Sequence, residues 1–533
     1  MKPDIGLGNW LFQRARRTPN RKALTFEGTT WTYAEIQDRI DRLAAVLKTQ
    51  GVCPGDRVAF LGLNQPLFLE ALFATARLGA IFVPLNYRLS GPELSYIINN
   101  AGVHTLIADA PHRPVIDTVR DGLPCRCFIS ADQPADGWPA AEDLRAHQTP
   151  LRHGVPVVED DVAIIMFTSG TTGRPKGAML THGNIWWNNV NVFHAYDVLE
   201  SDVSLLVAPL FHIGGLNVNS LVIWQKGGHI VLHRGFDPKR ALDDIAAYGI
   251  TTMFAVPAML LFISQQPAFA TANLATLGTI VCGGAPVPEP LMRVYAARGV
   301  PINQGYGLTE TAPFVSFLDP EWGMSKLGSA GQAPLLCEIR VVDANGRDVA
   351  GPNVKGEVIT NGPNIMKGYW NDPEATAAAI DPEGWFHTGD IGYLDEDGFL
   401  YIADRLKDMV ITGGENVYPA EVESALYDHP AIAEIAVIGL PDEQWGEAVV
   451  AVAALKPGMA LDLDTLRTFG TERLARFKLP RRLELMQALP RNPAGKVLKF
   501  ELRAQFAAAA AAAAAGSTGC AAADWNVTQR PAS

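Results

Sequence analysis

The chain has 533 residues, too many for a single core, so two or more domains are expected. Hydrophobic residues make up 48% of it and the formal net charge is −12. That is a globular composition, and its charge repels polyanions, which disfavours nonspecific nucleic-acid binding.

Any anionic substrate must therefore be met by local lysines and arginines. Six irregularly spaced cysteines point to reduced thiols in a cytoplasm. The first ten residues, MKPDIGLGNW, lack the apolar centre of a signal peptide. Ser204–Gln225 carries no Asp, Glu, Lys or Arg, but Pro209, Gly214, Gly215, Asn217 and Asn219 make it a buried strand, a loop and a helix start. No transmembrane segment is expected.

In chain order, Thr32 and Glu35 form a capping box, and Ile36, Ile40, Leu43 and Leu47 share one helical face until Gly51. Strand-like Val58–Leu63 and Ile81–Pro84 flank a helical stretch at 66–79, and a helix at 91–101 precedes strand-like Thr105–Ala108. This alternation indicates a mostly parallel, doubly wound sheet. It resumes at Ser204–Pro209, His229–Leu232, a helix over 238–248, Thr252–Val256 and Thr279–Cys282. From Gly328 to Arg405, short strands alternate with Gly, Asp and Asn turns, which reads as antiparallel β, a small barrel or distorted sheet. Asp408–Phe506 reads as a compact α+β domain. Nine alanines at 507–515 open a tail that reads as disordered.

Between Phe167 and Ala178 lies a run of hydroxyls and glycines: Thr168, Ser169, Gly170, Thr171, Thr172, Gly173, Arg174, Pro175, Lys176, Gly177. Glycines turn backbone N–H groups toward one point, hydroxyls add donors and Lys176 adds charge. The run suits the phosphates of a nucleotide, although a short loop of this composition is also found on ordinary surfaces. It is not a Walker A loop, because Gly177 follows Lys176 where that motif has Ser or Thr. Turns also follow strands at Gly283–Pro286 and Gln304–Glu310, and in doubly wound sheets ligands sit beyond such strand ends.

The run resembles the phosphate loop of the adenylate-forming superfamily, which includes acyl-CoA synthetases, aryl-CoA ligases, luciferases and peptide-synthetase adenylation domains. The resemblance recurs in order at Phe211–Gly215, Gly283–Pro286, Gln304–Glu310, Phe386–Ile391, Asp404–Glu423 and Arg491–Lys499, covering about residues 10–506. It implies an α/β fold: a large N-terminal domain of doubly wound sheets plus a small β-barrel-like part, and a smaller mobile α+β C-terminal domain. The expected domains are 1–404 and 405–506, with a hinge near Lys407 and a tail at 507–533.

The implied activity is ATP-dependent ligation of a carboxylic acid to coenzyme A, through acyl-AMP and pyrophosphate. Such chemistry joins two anions, so it needs positioning, cations and Mg²⁺ for the leaving pyrophosphate. Lys176 and the hydroxyls of Thr168, Ser169, Thr171 and Thr172, with Gly170, are expected on the phosphates. Glu310 and Thr168 are expected at the Mg²⁺. By resemblance, Thr309 touches the α-phosphate, Tyr306 lies on adenine, and Gly284, Ala285, Pro286, Gln304 and Gly305 complete the nucleotide site. Asp390 and Arg405 take the ribose, and Lys496 bridges carboxylate and α-phosphate. Gly413 and Gly414 line the pantetheine tunnel, and Trp445, Phe477 and Arg481 hold the nucleotide of CoA. The acid is expected against His212, Gly214, Gly215 and Val256. The two glycines leave room there, which favours a hydrophobic, medium- or long-chain fatty acid over an aryl acid of the hydroxycinnamate or feruloyl type. A carrier-protein-loading enzyme, a noncatalytic nucleotide sensor and a luciferase are the competing readings. A homodimer is left open.

Overall fold

The structure, a computed structural model, describes residues 4–168, 175–405, 408–412, 415–442, 445–471, 473–491 and 497–507. They form two compact units, one of 1–388 with 392–402 and the other of 389–391 with 403 onward.

In the first unit, helix Tyr33–Thr49 starts at the capping box read from sequence: the Thr32 N–H donates to Glu35 Oε2 at 2.7 Å and the Glu35 N–H to Thr32 Oγ1 at 3.3 Å. A six-stranded sheet runs in the order Cys127–Ser130, Val103–Ala108, Arg57–Leu61, Ile81–Leu85, Val162–Thr168, Lys176–Thr181. Its strands are parallel except the last, which returns antiparallel. An eight-stranded sheet runs Phe314–Phe317, Ile302–Gly307, Thr279–Cys282, Thr252–Ala255, Val203–Leu206, His229–Leu232, Lys22–Phe26, Thr29–Thr32. It is parallel inside and antiparallel at both edges. Buried β-branched and apolar runs on these strands fit sheets covered on both faces.

Helix Pro66–Arg77 is buried at every residue, which its apolar composition allows on all sides. Phe68 packs edge-on against Phe60 and Phe82 of the six-stranded sheet, and Phe73 packs against Trp224, in the helix that leads into the eight-stranded one. Each buried ring contributes about 1.5–3 kcal/mol relative to exposure. Its one carboxylate, Glu70, is held by Arg39 and Arg145 at 2.5 and 2.6 Å.

The uncharged window is strand Val203–Leu206, a loop, a π-helix over Gly214–Ser220 and helix Leu221–Lys226. Among the described residues no helix is long and apolar enough to cross a membrane. A four-stranded sheet follows, in the order Glu338–Val342, Gly356–Asn361, Phe386–Leu394, Leu400–Arg405. In the second unit, the long hairpin Ile432–Asp442 and Gly446–Leu455 carries Arg482–Met486 in parallel on its outer side. Helices Pro419–Tyr427 and Leu463–Thr471 pack Val422, Leu426 and Leu466 onto it.

Candidate active site

Thr168 and Lys176 belong to a hairpin rather than to the loop expected at 168–177. Thr168 ends one strand, Lys176 begins the next, and the two are cross-strand partners. The alternation Lys176, Ala178, Leu180 fits a strand, and the basic and glycine-rich start hid it. Ser169, Gly170, Thr171 and Thr172 lie outside the described residues.

Residues 366–370 run along the hairpin. The Met179 N–H donates to the Gly368 carbonyl at 2.9 Å, and the Trp370 N–H donates to the Gly177 carbonyl at 2.7 Å. This pairing carries Tyr369 to the mouth of the hairpin, where its hydroxyl donates to Glu310 Oε1 at 3.0 Å. Thr168 Oγ1 donates to the same oxygen at 3.2 Å. Lys176 Nζ lies 5.3 Å from the Tyr369 ring centroid. Burial, then the Glu310 charge, pushes the Tyr369 phenol well above its ordinary range, so it remains a donor. Tyr369 is a residue that sequence reasoning missed.

Glu310 is 7% exposed, and among the described residues no hydrogen bond is recorded to its Oε2. A buried carboxylate with one free oxygen calls for a cation. Magnesium takes few protein carboxylates and fills its shell with phosphate oxygens and water, so this donor set fits it. No group of three or more His, Cys, Asp or Glu gathers among the described residues.

The chain behind Glu310 is clamped from three elements. Asn364 Nδ2 donates to the carbonyls of Thr311 and Phe314 at 2.6 and 2.8 Å, and Asn188 Oδ1 accepts the Phe314 N–H at 3.3 Å. Asn217 Nδ2, on the π-helix, donates to the Ala312 carbonyl at 3.3 Å. Ala312 has φ 60°, a left-handed conformation that these bonds hold. Thr309 starts the short 3₁₀ turn that contains Glu310.

Gln304 was expected on the nucleotide, but its amide is committed to the protein. Its Oε1 accepts the Val287 N–H at 2.9 Å, and its Nε2 donates to the Ser329 carbonyl at 2.8 Å. Its part is to place the turn of Gly284, Ala285 and Pro286, where Gly284 has φ +84°. Gly305 pairs with Phe317 across the sheet edge, and Tyr306 pairs with Ser316 and packs beside Ala330 and Leu400. Asp390 is 4% exposed in mid-strand, within the 389–391 stretch grouped with the second unit. Arg405 ends strand Leu400–Arg405.

The acid wall departs from the expectation. A Cβ on Gly214 would lie 2.7 Å from Phe254 Cζ, so the space is filled by a ring. A Cβ on Gly215 would fall inside the Pro209 carbonyl. The two glycines therefore do not leave room; they are required by close approach. Gly215→Ala should lower the thermal midpoint by the equivalent of about 1–3 kcal/mol without changing the acid profile, as thermal melts and an acid panel will read. Phe254, the second residue missed, also lies 3.7 Å from a Cβ on Gly283. Val256 caps helix Pro257–Ser264, and its Cγ1 lies 3.6 Å from a Cβ on Gly284. The His212 imidazole lies tilted against the Phe211 ring with centroids 4.2 Å apart, and its Nε2 has no partner among the described residues. Burial, then the Arg88 charge, pushes its pKa down to about 4, so it is neutral at neutral pH.

In the second unit, the Arg481 guanidinium lies 3.9 Å from the Trp445 ring centroid, joining two of the residues expected to hold CoA. Phe477 lies beneath Lys478, which is paired with Glu421. Lys407, Gly413, Gly414 and Lys496 lie outside the described residues.

Comparison with known proteins finds matches along most of the chain. A family model described as AMP-binding enzyme matches residues 11–370, and one described as AMP-binding enzyme C-terminal domain matches 421–496. A feruloyl-CoA synthase of Amycolatopsis sp is 44% identical over 501 residues, covering 94% of this chain and 99% of the relative. A long-chain-fatty-acid–CoA ligase of Mycobacterium tuberculosis is 40% identical over 511 residues, covering 94% and 99%. Among solved structures, an O-succinylbenzoate coenzyme A synthetase of Bacillus subtilis in complex with ATP and magnesium ion superimposes with a TM-score of 0.83. It is 35% identical, with 93% of this chain and 98% of that one covered.

Proposed function

This chain belongs to the AMP-binding enzyme family and is an AMP-forming acid–thiol ligase; from that premise we propose that its acid is an aromatic one of the feruloyl type. The observation that carries the reading is the Phe254 ring packed against Gly214 and beside Gly283. We read this ring as closing the wall to an extended chain and offering a flat apolar face to an aromatic acid. Similarity to a feruloyl-CoA synthase supports it. Similarity to a long-chain-fatty-acid ligase favours the second reading, an aliphatic acid, which requires Phe254 to swing aside.

In the first half-reaction a carboxylate oxygen of the acid attacks the α-phosphorus of ATP and pyrophosphate leaves. Lys176 and Thr168 hold the β and γ phosphates, Thr309 the α-phosphate, Tyr306 the adenine, and Asp390 with Arg405 the ribose. Glu310 would hold Mg²⁺, which when bound neutralises phosphate charge. Lys496 offsets the charge that develops as the P–O bond forms. In the second half-reaction the CoA thiol, losing its proton, attacks the acyl carbonyl and AMP leaves. Gly413, Gly414, Trp445, Phe477 and Arg481 serve CoA, and Lys407 is the hinge between half-reactions.

A panel of ferulate, cinnamate, octanoate and palmitate, scored for CoA-dependent AMP release, tests the substrate. The aromatic acids should lead by tenfold or more in kcat/KM. Phe254→Ala should admit palmitate and leave the KM for ATP within about twofold, because it removes a ring from the acid wall alone. Palmitate leading in the unaltered enzyme would overturn the aromatic reading.

A further inference from the structure

We propose that Tyr369 is a positioning residue for Glu310, fixing which carboxylate oxygen is free for a divalent cation while its ring seats the Lys176 ammonium. The inference rests on the reading of Glu310 as the metal ligand. The base of Tyr369 is anchored by hydrogen bonds. Its N–H donates to Thr376 Oγ1 at 2.9 Å, and its neighbours Gly368 and Trp370 bond to the strand Lys176–Thr181. From that base the phenol reaches Glu310 Oε1 at 3.0 Å.

A Glu carboxylate turns about a soft terminal torsion, so its backbone anchor alone does not choose an oxygen. That anchor is the Met366 N–H, which donates to the Glu310 carbonyl at 2.8 Å, three residues before Tyr369. Two hydroxyl donors, Tyr369 and Thr168, converge on Oε1, and neither reaches Oε2. Partners of this kind, behind a metal ligand, cost about 10–100-fold in metal affinity when removed. Thr168 ends strand Val162–Thr168, whereas Tyr369 comes from a segment far along the chain that pairs with the neighbouring strand. The ring carries the second half of the function. Lys176 Nζ sits 5.3 Å from its centroid, so one side chain sets the spacing between the cation for phosphate and the anion for metal. A purely structural tyrosine would need neither its hydroxyl on Glu310 nor a lysine on its face.

The test is Tyr369→Phe in the full chain, with Mn²⁺ as the probe in place of Mg²⁺. Binding of Mn²⁺ to the enzyme–ATP complex, read by electron paramagnetic resonance, should weaken about tenfold. AMP binding in EDTA, the KM for the acid and the melting temperature should stay at wild-type values. On a Glu310→Gln background the same substitution should add nothing, because Tyr369 acts through that carboxylate. Unchanged Mn²⁺ affinity in Tyr369→Phe, with weakened affinity in Glu310→Gln, overturns the role of Tyr369 and spares that of Glu310. Unchanged affinity in Glu310→Gln removes the metal reading itself. Additive losses in the double variant, or a lowered melting temperature with proportionate loss of AMP binding, make Tyr369 structural and overturn the proposal.

Discussion

Glu310→Gln is expected to slow acyl-AMP formation by about 10²–10³ while leaving thioester formation from supplied acyl-AMP near its wild-type rate. The substitution keeps the shape of a side chain that is 7% exposed and removes only its charge. The hydroxyls of Thr168 and Tyr369 still find an amide oxygen, so the fold should survive. On the proposed reading, what disappears is the anion that would hold a cation against the departing pyrophosphate. The second half-reaction releases AMP and needs no such cation, so the loss should fall on one step. Pyrophosphate release and CoA consumption from acyl-AMP, measured on the same preparation, separate the two. Equal losses in both would show that Glu310 serves the nucleotide as a whole and not the leaving group.

Lys496→Ala should produce a loss of similar size, about 10²–10³ in adenylation, by a different route. A protein of net charge −12 must gather two anions, an acid and a polyphosphate, at one point. An ammonium near the forming P–O bond stabilises the added charge of the transition state more than it stabilises either bound reactant. Alanine removes that difference, so kcat should fall while the KM for ATP moves little. Acyl-AMP already made should still react with CoA. If both steps fell together, the lysine would belong to a shared binding function rather than to bond formation.

Much of the fold could be read along the chain. Helices 91–101 and 238–248 and strands His229–Leu232, Thr279–Cys282 and Glu338–Val342 have the expected bounds. Their signals are local: caps, periodicity, and β-branched runs between turns. The site was read differently. Glu310, Thr168 and Lys176 stood out by motif, and the structure brings Thr168 to Glu310 across 142 positions. Tyr369 gave no such sign, because its importance comes from strand pairing with Ala178, which no periodicity around 369 encodes. The glycines at 214 and 215 were misread for a related reason. A missing side chain signals either space or crowding, and only the neighbours, Phe254 and Pro209, decide which. The π-helix at 214–220 lacks a recognisable period altogether.

The packing of Phe254 on Gly214 also bears on how this enzyme could diversify. Position 215 is closed to change by backbone, so its glycine should persist through any drift in substrate range. Position 214 is closed only by a side chain. Shrinking residue 254 first opens position 214 directly, whereas enlarging residue 214 first must displace the Phe254 ring. New acid preferences are therefore reached more easily in one order of steps than in the other. The paths that are open begin on the sheet, at strand Thr252–Ala255, and not on the glycines that first draw the eye.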